Sequence, residues 1–136
     1  MRLPVLLPLL AAMAFVSPAM AQNECDPDDQ SQMGMNICAR VDYEAADASL
    51  NKTYREIMRR LDNSPDGKKQ LQAAQRAWIS FRDAECAFAN SDTESGSMHP
   101  MVMSQCFEAM TVDRTKQLAD YLTCEEGDAS CPVPAD

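Results

Sequence analysis

Histidine, tryptophan and glycine are scarce: the 136-residue chain has one His, one Trp and four Gly. A single His with no Ser and Asp at a triad spacing offers no nucleophile–base pair, and no glycine-rich loop is present to cradle a phosphate. The carboxylates are many but follow no acid/base spacing, so the chain reads as non-catalytic and without a cofactor. Bases are also few, 12 Lys and Arg against 21 Asp and Glu, for a net charge of −9. A nucleic-acid surface needs a basic stripe to displace counterions from phosphate, and that class of function is excluded. No CxxC pair and no Cys/His set at zinc spacing occurs, so no metal site is expected. Beyond the first residues there is no long apolar run, and no β-type alternation of useful length appears anywhere.

What is present begins with a secretory pattern. Arg2 is the only charge of the first 21 residues, Leu3–Val16 is an apolar run, and Ala19-Met20-Ala21 is a small-x-small cleavage site. The run is too short to span a bilayer. Cleavage after Ala21 leaves 115 residues and removes one base and no acid, so the mature charge is −10. That length makes one domain. All six cysteines, Cys25, Cys38, Cys86, Cys106, Cys124 and Cys131, lie beyond the leader. An even number in an exported chain reads as disulfides formed in an oxidising compartment, here a bacterial periplasm or the exterior. Cys25 does not suit a lipid anchor, because Gln22-Asn23-Glu24 separate it from the cleavage site, and no membrane anchor is expected. Six cysteines allow 15 pairings, and the count alone selects none.

Ala39, Tyr43, Ala46, Leu50, Tyr54, Ile57 and Leu61 step by 4, 3, 4, 4, 3 and 4, a mean of 3.67, which is one face of a helix. The spacing predicts a helix from near Asp29 or Ser31, both good caps, to about Asp62. Asn63-Ser64-Pro65-Asp66-Gly67 breaks it, and Pro65 suits the first turn of a second helix with Ser64 as its cap. That helix is expected to carry Leu71, Ala74, Trp78, Phe81 and Phe88 inward and to end near Asn90. Ser91–His99 has no apolar period and reads as a loop. Pro100 opens a third helix with Met103, Cys106 or Phe107, Met110, Arg114, Leu118 and Tyr121 on one side. Thr123–Asp136, with Gly127, Pro132 and Pro134, reads as an irregular acidic tail. The expected organisation is a leader over 1–21, a helical domain over 22–122 and a tail over 123–136. Its fold class is all-α: an antiparallel three-helix bundle of long helices, disulfide-stabilised, with irregular termini.

Hairpin geometry levels residues across helices 1 and 2. With the turn at Ser64, Asp47 lies 17 residues before it and Arg82 18 after it, so the two are expected to form an inter-helix ion pair. Asn51, Gln75 and Arg114 are candidates to join it, in a network that is structural rather than chemical. The alternative is a set of solvated surface charges. The same ruler puts Cys38, Cys86 and Cys106 at the end distal to Ser64, within reach of Cys25. It favours Cys86–Cys106, which ties helix 2 to helix 3 around the loop, with Cys25–Cys38 and Cys124–Cys131 as the remaining local pairs.

Several strings are distinctive. They are Ala74-Gln75-Arg76-Ala77-Trp78-Ile79-Ser80-Phe81-Arg82-Asp83-Ala84-Glu85-Cys86, Met35-Asn36-x-Cys38-Ala39, Asp47-x-x-Leu50-Asn51-x-x-Tyr54, and Cys106 followed by Thr111-x-x-Arg114-Thr115-x-x-Leu118. Together they resemble the LprI-like family of small exported bacterial proteins, over about Cys25 to Tyr121. The family's named member is a mycobacterial lysozyme inhibitor, so the resemblance implies inhibition of a lysozyme. Ser95-Gly96-Ser97 stands where the family usually has Gly-Gly-Ser, Gly34 stands where an acidic residue is usual, and the tail with Cys124 and Cys131 lies outside the pattern. The motif residues themselves read as fold determinants.

Partner contacts are expected in the loop. Closed by Cys86–Cys106, it would present the only His, His99, beside Asp92, Glu94, Ser95 and Ser97, and a constrained loop loses less entropy on entering an enzyme cleft. The alternative is an ordinary surface loop. Met98-His99-x-Met101-x-Met103, with Met33 and Met35 at the same end, has donors that a soft Cu(I) ion accepts, although methionine is more commonly a core filler. Acids cluster as well. Gln22–Gln30 holds Glu24, Asp26, Asp28 and Asp29, Thr123–Asp136 holds Glu125, Glu126, Asp128 and Asp136, and neither segment holds a base. Lys52, Arg55, Arg59, Arg60, Lys68 and Lys69 make the corner between helices 1 and 2 basic, and helix 3 would deliver the tail beside it. The unpartnered acid is therefore expected at the other end, in the N-terminal arm and the Asp92/Glu94 loop. A basic protein such as a c-type lysozyme suits that pole by charge. The rival reading is a periplasmic envelope-stress or accessory module that binds another protein or ligand.

Overall fold

The structure is a computed structural model that describes residues 24–125 and 127–134. The expected leader and its cleavage site lie outside the described residues, as do Glu126 and Asp136 of the tail. Three helices make the body: α1 Gln32–Arg60, α2 Pro65–Ala89 and α3 His99–Asp120. A short 3₁₀ turn, Ser91–Thr93, lies in the loop before α3, and no strand occurs among the described residues. The all-α expectation therefore holds, with helix ends within two residues of those predicted.

Helix starts follow from local chemistry. Ser31 Oγ accepts the Gly34 N–H at 3.0 Å, satisfying one of the free amides at the start of α1. The Ser31 N–H in turn donates to Asp29 Oδ1 at 2.9 Å, and hydrogen bonds from Ser31, its side chain foremost, hold the Asp29 carboxyl below its ordinary pKa. Gly34 is required here for space. A Cβ on it would fall 2.7 Å from the Asp29 carbonyl oxygen and closer still to its carboxyl, so the N-terminal arm lies flat on the first turn only because residue 34 lacks a side chain. Pro65 takes the first turn of α2 as expected, but the Ser64 hydroxyl makes no cap bond.

Contacts down the molecule show that α1 and α3 run side by side in the same direction, with α2 antiparallel to both. Asn36 meets Ser97 near one end, the Tyr43 and Phe107 rings lie 5.5 Å apart further along, and Arg60 Nη1 donates to the Leu122 carbonyl at the other. The buried cluster sits toward that second end: Leu50, Ile57, Leu61 and Leu118, joined by Val133 and flanked by Tyr54, Leu71, Trp78, Tyr121 and Leu122. The tail is irregular, as expected, yet it is docked, with Val133 buried against the helices. Glu56 accepts from both Arg59 and Arg60, and these hydrogen bonds, Arg59 first, pull its pKa from 4.5 to about 2. The three disulfides are Cys25–Cys38, Cys86–Cys106 and Cys124–Cys131, and no described cysteine is free.

One expectation is overturned. Of the residues assigned inward on α2, Ala74, Phe81 and Phe88 face solvent, Phe81 with 57% and Phe88 with 79% of its surface exposed. The face that meets α1 and α3 is instead Leu71, Gln75, Trp78, Arg82 and Cys86. Helical residues turn by about 100° each, which places the centres of these two stripes roughly 100° apart, and the α1–α3 pair seats only the second. Arg82 decides which one is. Its guanidinium lies 5.1 Å from the Phe107 ring centroid, 5.2 Å from that of Trp78 and 5.6 Å from that of Tyr43, a cage of aromatic faces drawn from all three helices.

Candidate functional site

The N-terminal arm and the 91–98 loop both lie at the end of the bundle distal to the α1–α2 turn, the arm against Gly34 and the loop against Asn36. Cys25–Cys38 pins the arm to α1, and within the arm the Asp28 N–H donates to Asp26 Oδ1 at 3.0 Å while the Asp29 N–H donates to the Asp26 carbonyl at 3.1 Å. Glu24, Asp26, Asp28 and Asp29 are all exposed on this folded turn. The loop is closed by Cys86–Cys106 and coiled on itself, with the backbone N–H groups of Thr93, Glu94, Gly96 and His99 donating to the carbonyls of Asn90, Ser91, Thr93 and Gly96 in turn. Asp92, Glu94, Ser95 and Ser97 project from it into solvent. Asn36 of α1 donates its side-chain N–H to the Ser97 carbonyl at 3.0 Å, and Gln32 donates to Asn36 at 2.9 Å. Arm and loop are thus each ordered at this end of the bundle, and both expose carboxylates to solvent.

His99 sits differently from the place its sequence position suggested. It is the first residue of α3 rather than the last of the loop, it is partly buried, and its Nδ1 lies 2.8 Å from Thr93 Oγ1. The Thr93 hydroxyl already donates to the Asn90 carbonyl at 2.7 Å. With that single hydroxyl proton committed, the bond is satisfied when imidazole Nδ1 carries the proton and donates to Thr93. His99 thus braces the loop from behind. Met33, Met35 and Met98 are exposed at the same end and are not core fillers. Among the described residues, no cluster of three or more His, Cys, Asp or Glu side chains has metal-binding geometry.

The expected ion pair between Asp47 and Arg82 is absent. Arg82 Nε and Nη2 donate to Asp83 Oδ1, the next residue, at 2.9 and 2.8 Å, and the rest of the guanidinium is taken by its aromatic cage. Asp47 accepts from Asn51 at 2.7 Å. Both residues line a groove of about 450 Å³ between α1 and α2, together with Asn51, Tyr54, Gln75 and Trp78. The helices stand apart there because the wide Arg82 and Trp78 side chains are wedged between them. Arg114 does reach Gln75, at 3.2 Å, and also donates to Gln117 at 2.7 Å while lying over Trp78. Burial pushes its pKa below the ordinary arginine value. The five network residues thus form two separate pairs, Asp47 with Asn51 and Arg114 with Gln75, while Arg82 stands between them on partners of its own.

Sequence reasoning missed the residues that hold the acidic end together. Thr93 and Asn90 brace the loop, and Asn36 ties it to α1; of these, Asn36 lay inside a distinctive motif and carried a readable signal.

The family model for lysozyme inhibitor LprI matches residues 23–118 of this chain. An uncharacterized protein, R02472, of Rhizobium meliloti (strain 1021) is 39% identical over 124 residues, covering 81% of this chain and 88% of its own length. An uncharacterized protein, YecT, of Escherichia coli (strain K12) is 34% identical over 113 residues, covering 73% of this chain and 69% of its own. No solved structure matches.

Proposed function

This chain belongs to the lysozyme inhibitor LprI family, and from that premise we propose that it is an exported, non-catalytic domain that binds and inhibits a lysozyme through its acidic end. The leader pattern over residues 1–21 supports export to the periplasm or beyond, and no helix among the described residues is long and apolar enough to cross a membrane. The observation that carries the reading is the distribution of charge. Residues 24–39 and 83–113 hold Glu24, Asp26, Asp28, Asp29, Asp83, Glu85, Asp92, Glu94, Glu108 and Asp113, and no Lys or Arg. The opposite corner holds Lys52, Arg55, Arg59, Arg60, Lys68 and Lys69. At that corner Arg59 and Arg60 are paired with Glu56, Lys68 with Asp62 and Lys69 with Asp66. Unpartnered negative charge therefore gathers at the other end, where it steers toward a basic protein, and c-type lysozymes are basic.

Pre-ordering supports the same reading. The arm is fixed by Cys25–Cys38 and the loop by Cys86–Cys106, so little conformational freedom remains to be lost on docking. Asp26, Asp28, Asp92 and Glu94 supply acceptors for basic side chains around a sugar-binding cleft, and Ser95 and Ser97 add hydroxyls. His99 contributes by shaping the loop, not by contact through Nδ1. The test is a titration of the purified oxidised chain into a muramidase turnover assay at low and moderate salt. Inhibition is expected, weakening with salt. Replacing Asp26, Asp28, Asp92 and Glu94 together by their amides is expected to weaken it at least about tenfold, the loss of roughly 1.4 kcal/mol of binding. Wild-type protein that leaves turnover untouched at micromolar excess would sink the proposal and return the chain to the class of envelope accessory modules.

A further inference from the structure

A single cation stands in the wall of an otherwise uncharged cavity. The cavity, about 240 Å³, opens between the α1–α2 turn, α3 and the docked tail. Ile57 and Leu61 of α1, Leu71 of α2 and Val133 of the tail give it apolar walls. Arg114 of α3 is the one charged residue lining it among the described residues. At the same end of the bundle Arg59, Arg60, Lys68 and Lys69 each pair with a carboxylate. Arg114 does not. Its Nε and Nη1 donate to the neutral amide oxygens of Gln75 and Gln117, and Nη2 is left without a partner among the described residues. It is also half-buried. A charge drawn partly out of water without a counter-ion is costly, so the cavity is electrostatically incomplete as it stands.

We propose that this cavity binds a small aliphatic monocarboxylate, with the carboxylate on the Arg114 guanidinium and the hydrocarbon chain against Ile57, Leu61, Leu71 and Val133. Charge, size and hydrogen bonding each select this occupant. A guanidinium is a planar fork of donors matched to a carboxylate, and here it has donors to spare. At about 30 Å³ for each water-sized atom, the cavity holds about eight heavy atoms, which suits one chain of medium length. Besides Arg114, only Gln70 and Tyr121 bring polar side chains to the lining, and most of the wall is helix whose backbone groups are already bonded. A peptide would leave its own amides unmatched there, whereas a hydrocarbon chain has none to match. The cavity lies at the end of the bundle opposite the acidic arm and loop, so the proposal is independent of lysozyme inhibition.

The test is a titration of octanoate into the purified oxidised chain. Calorimetry is expected to show one saturable site. The emission of Trp78, the only tryptophan and the ring that Arg114 lies over, is expected to change with the same midpoint. Octan-1-ol, equal in chain length but neutral, is expected to bind at least tenfold more weakly. Shortening the acid should weaken binding about fourfold for each methylene removed, the loss of one buried CH₂. Arg114→Gln is expected to lose at least tenfold in affinity. Ala74→Phe changes an exposed position on the rim of the cavity, and is expected to block the chain while leaving Arg114 in place. This second variant decides the matter if Arg114→Gln does not fold. Octanoate that fails to saturate by millimolar concentration overturns the proposal, as does octan-1-ol binding as tightly as the acid. Binding that survives Ala74→Phe or a folded Arg114→Gln puts the acid elsewhere on the chain and overturns the site.

Discussion

Where α1 and α3 meet, the buried groups are Ala39, Ala46, Leu50, Ile57, Thr111 and Leu118, close-fitting side chains with one polar exception. Thr111 Oγ1 is sealed in that contact without a hydrogen-bond partner, so even this hydroxyl is present as a shape. Where α2 meets the pair, its only buried residues are Arg82 and Cys86. One interface is held by area removed from water, the other by a caged guanidinium and a disulfide beside the half-buried Leu71 and Trp78. The first kind of attachment scales with volume and tolerates no cavity. The second is directional, resting on the planar face of one side chain and on one disulfide, and it frees the remaining α2 surface for other use. That freedom explains how a helix can carry Phe81 and Phe88 outward without loss to the monomer.

Substitutions separate the two interfaces. Leu118→Ala strikes the first. Leu118 is fully buried between α1 and α3, and truncating such a leucine costs about 3 kcal/mol, read as the shift in urea unfolding midpoint. A cost below about 1 kcal/mol would mean that the α1–α3 contact relaxes freely and is not close-packed. Arg82→Lys strikes the second. It keeps the charge but gives up a flat guanidinium stacked within reach of three rings and the two-pronged bond to Asp83. The expected loss is about 1.5 kcal/mol, with increased exchange of α2 amides and little change in α3. If lysine matches arginine, charge alone seats α2 and the aromatic cage is incidental.

Legibility in the sequence divides along the same line. Every member of the Ala39-to-Leu61 stripe is buried or half-buried in the structure, because a face held by apolar area leaves an apolar period in the sequence. The hairpin ruler brought Cys25, Cys38, Cys86 and Cys106 to one end, and the structure pairs them as the local reading favoured, with Cys124–Cys131 in the tail. The seat of α2 was not readable. A rule that sends apolar residues inward had to choose Phe81 over its neighbour Arg82, and nothing local in the sequence reveals that Tyr43 and Phe107 converge to receive a cation. The missing Asp47–Arg82 pair has the same cause, because levelling residues across a hairpin says nothing about which partner is nearer on the same helix. Val133 was missed as well, for a lone apolar residue in a Pro-containing tail has no period to announce its burial. At the acidic end the acids were found by counting, whereas the Thr93–His99 and Asn36–Ser97 braces depend on loop geometry that composition does not encode.

Phe81→Ala is the smallest effect and the sharpest test of the comparison. A buried phenylalanine truncated to alanine costs 3 kcal/mol or more, so the sequence rule and the structure differ here by a wide margin. With more than half of its surface already in water, Phe81 has little transfer free energy left to lose, and alanine is the better helix former. The expected change in stability is therefore under about 0.5 kcal/mol, measured by thermal unfolding at micromolar concentration. Trp78→Ala, three residues away on the inner face, is the internal control, because it removes a ring that two guanidinium groups rest on. Equal and large losses at both positions would mean that α2 rolls to bury both stripes in turn. A small loss at Phe81 with a large one at Trp78 fixes the helix in a single orientation, with Trp78 and Arg82 in and Phe81 out.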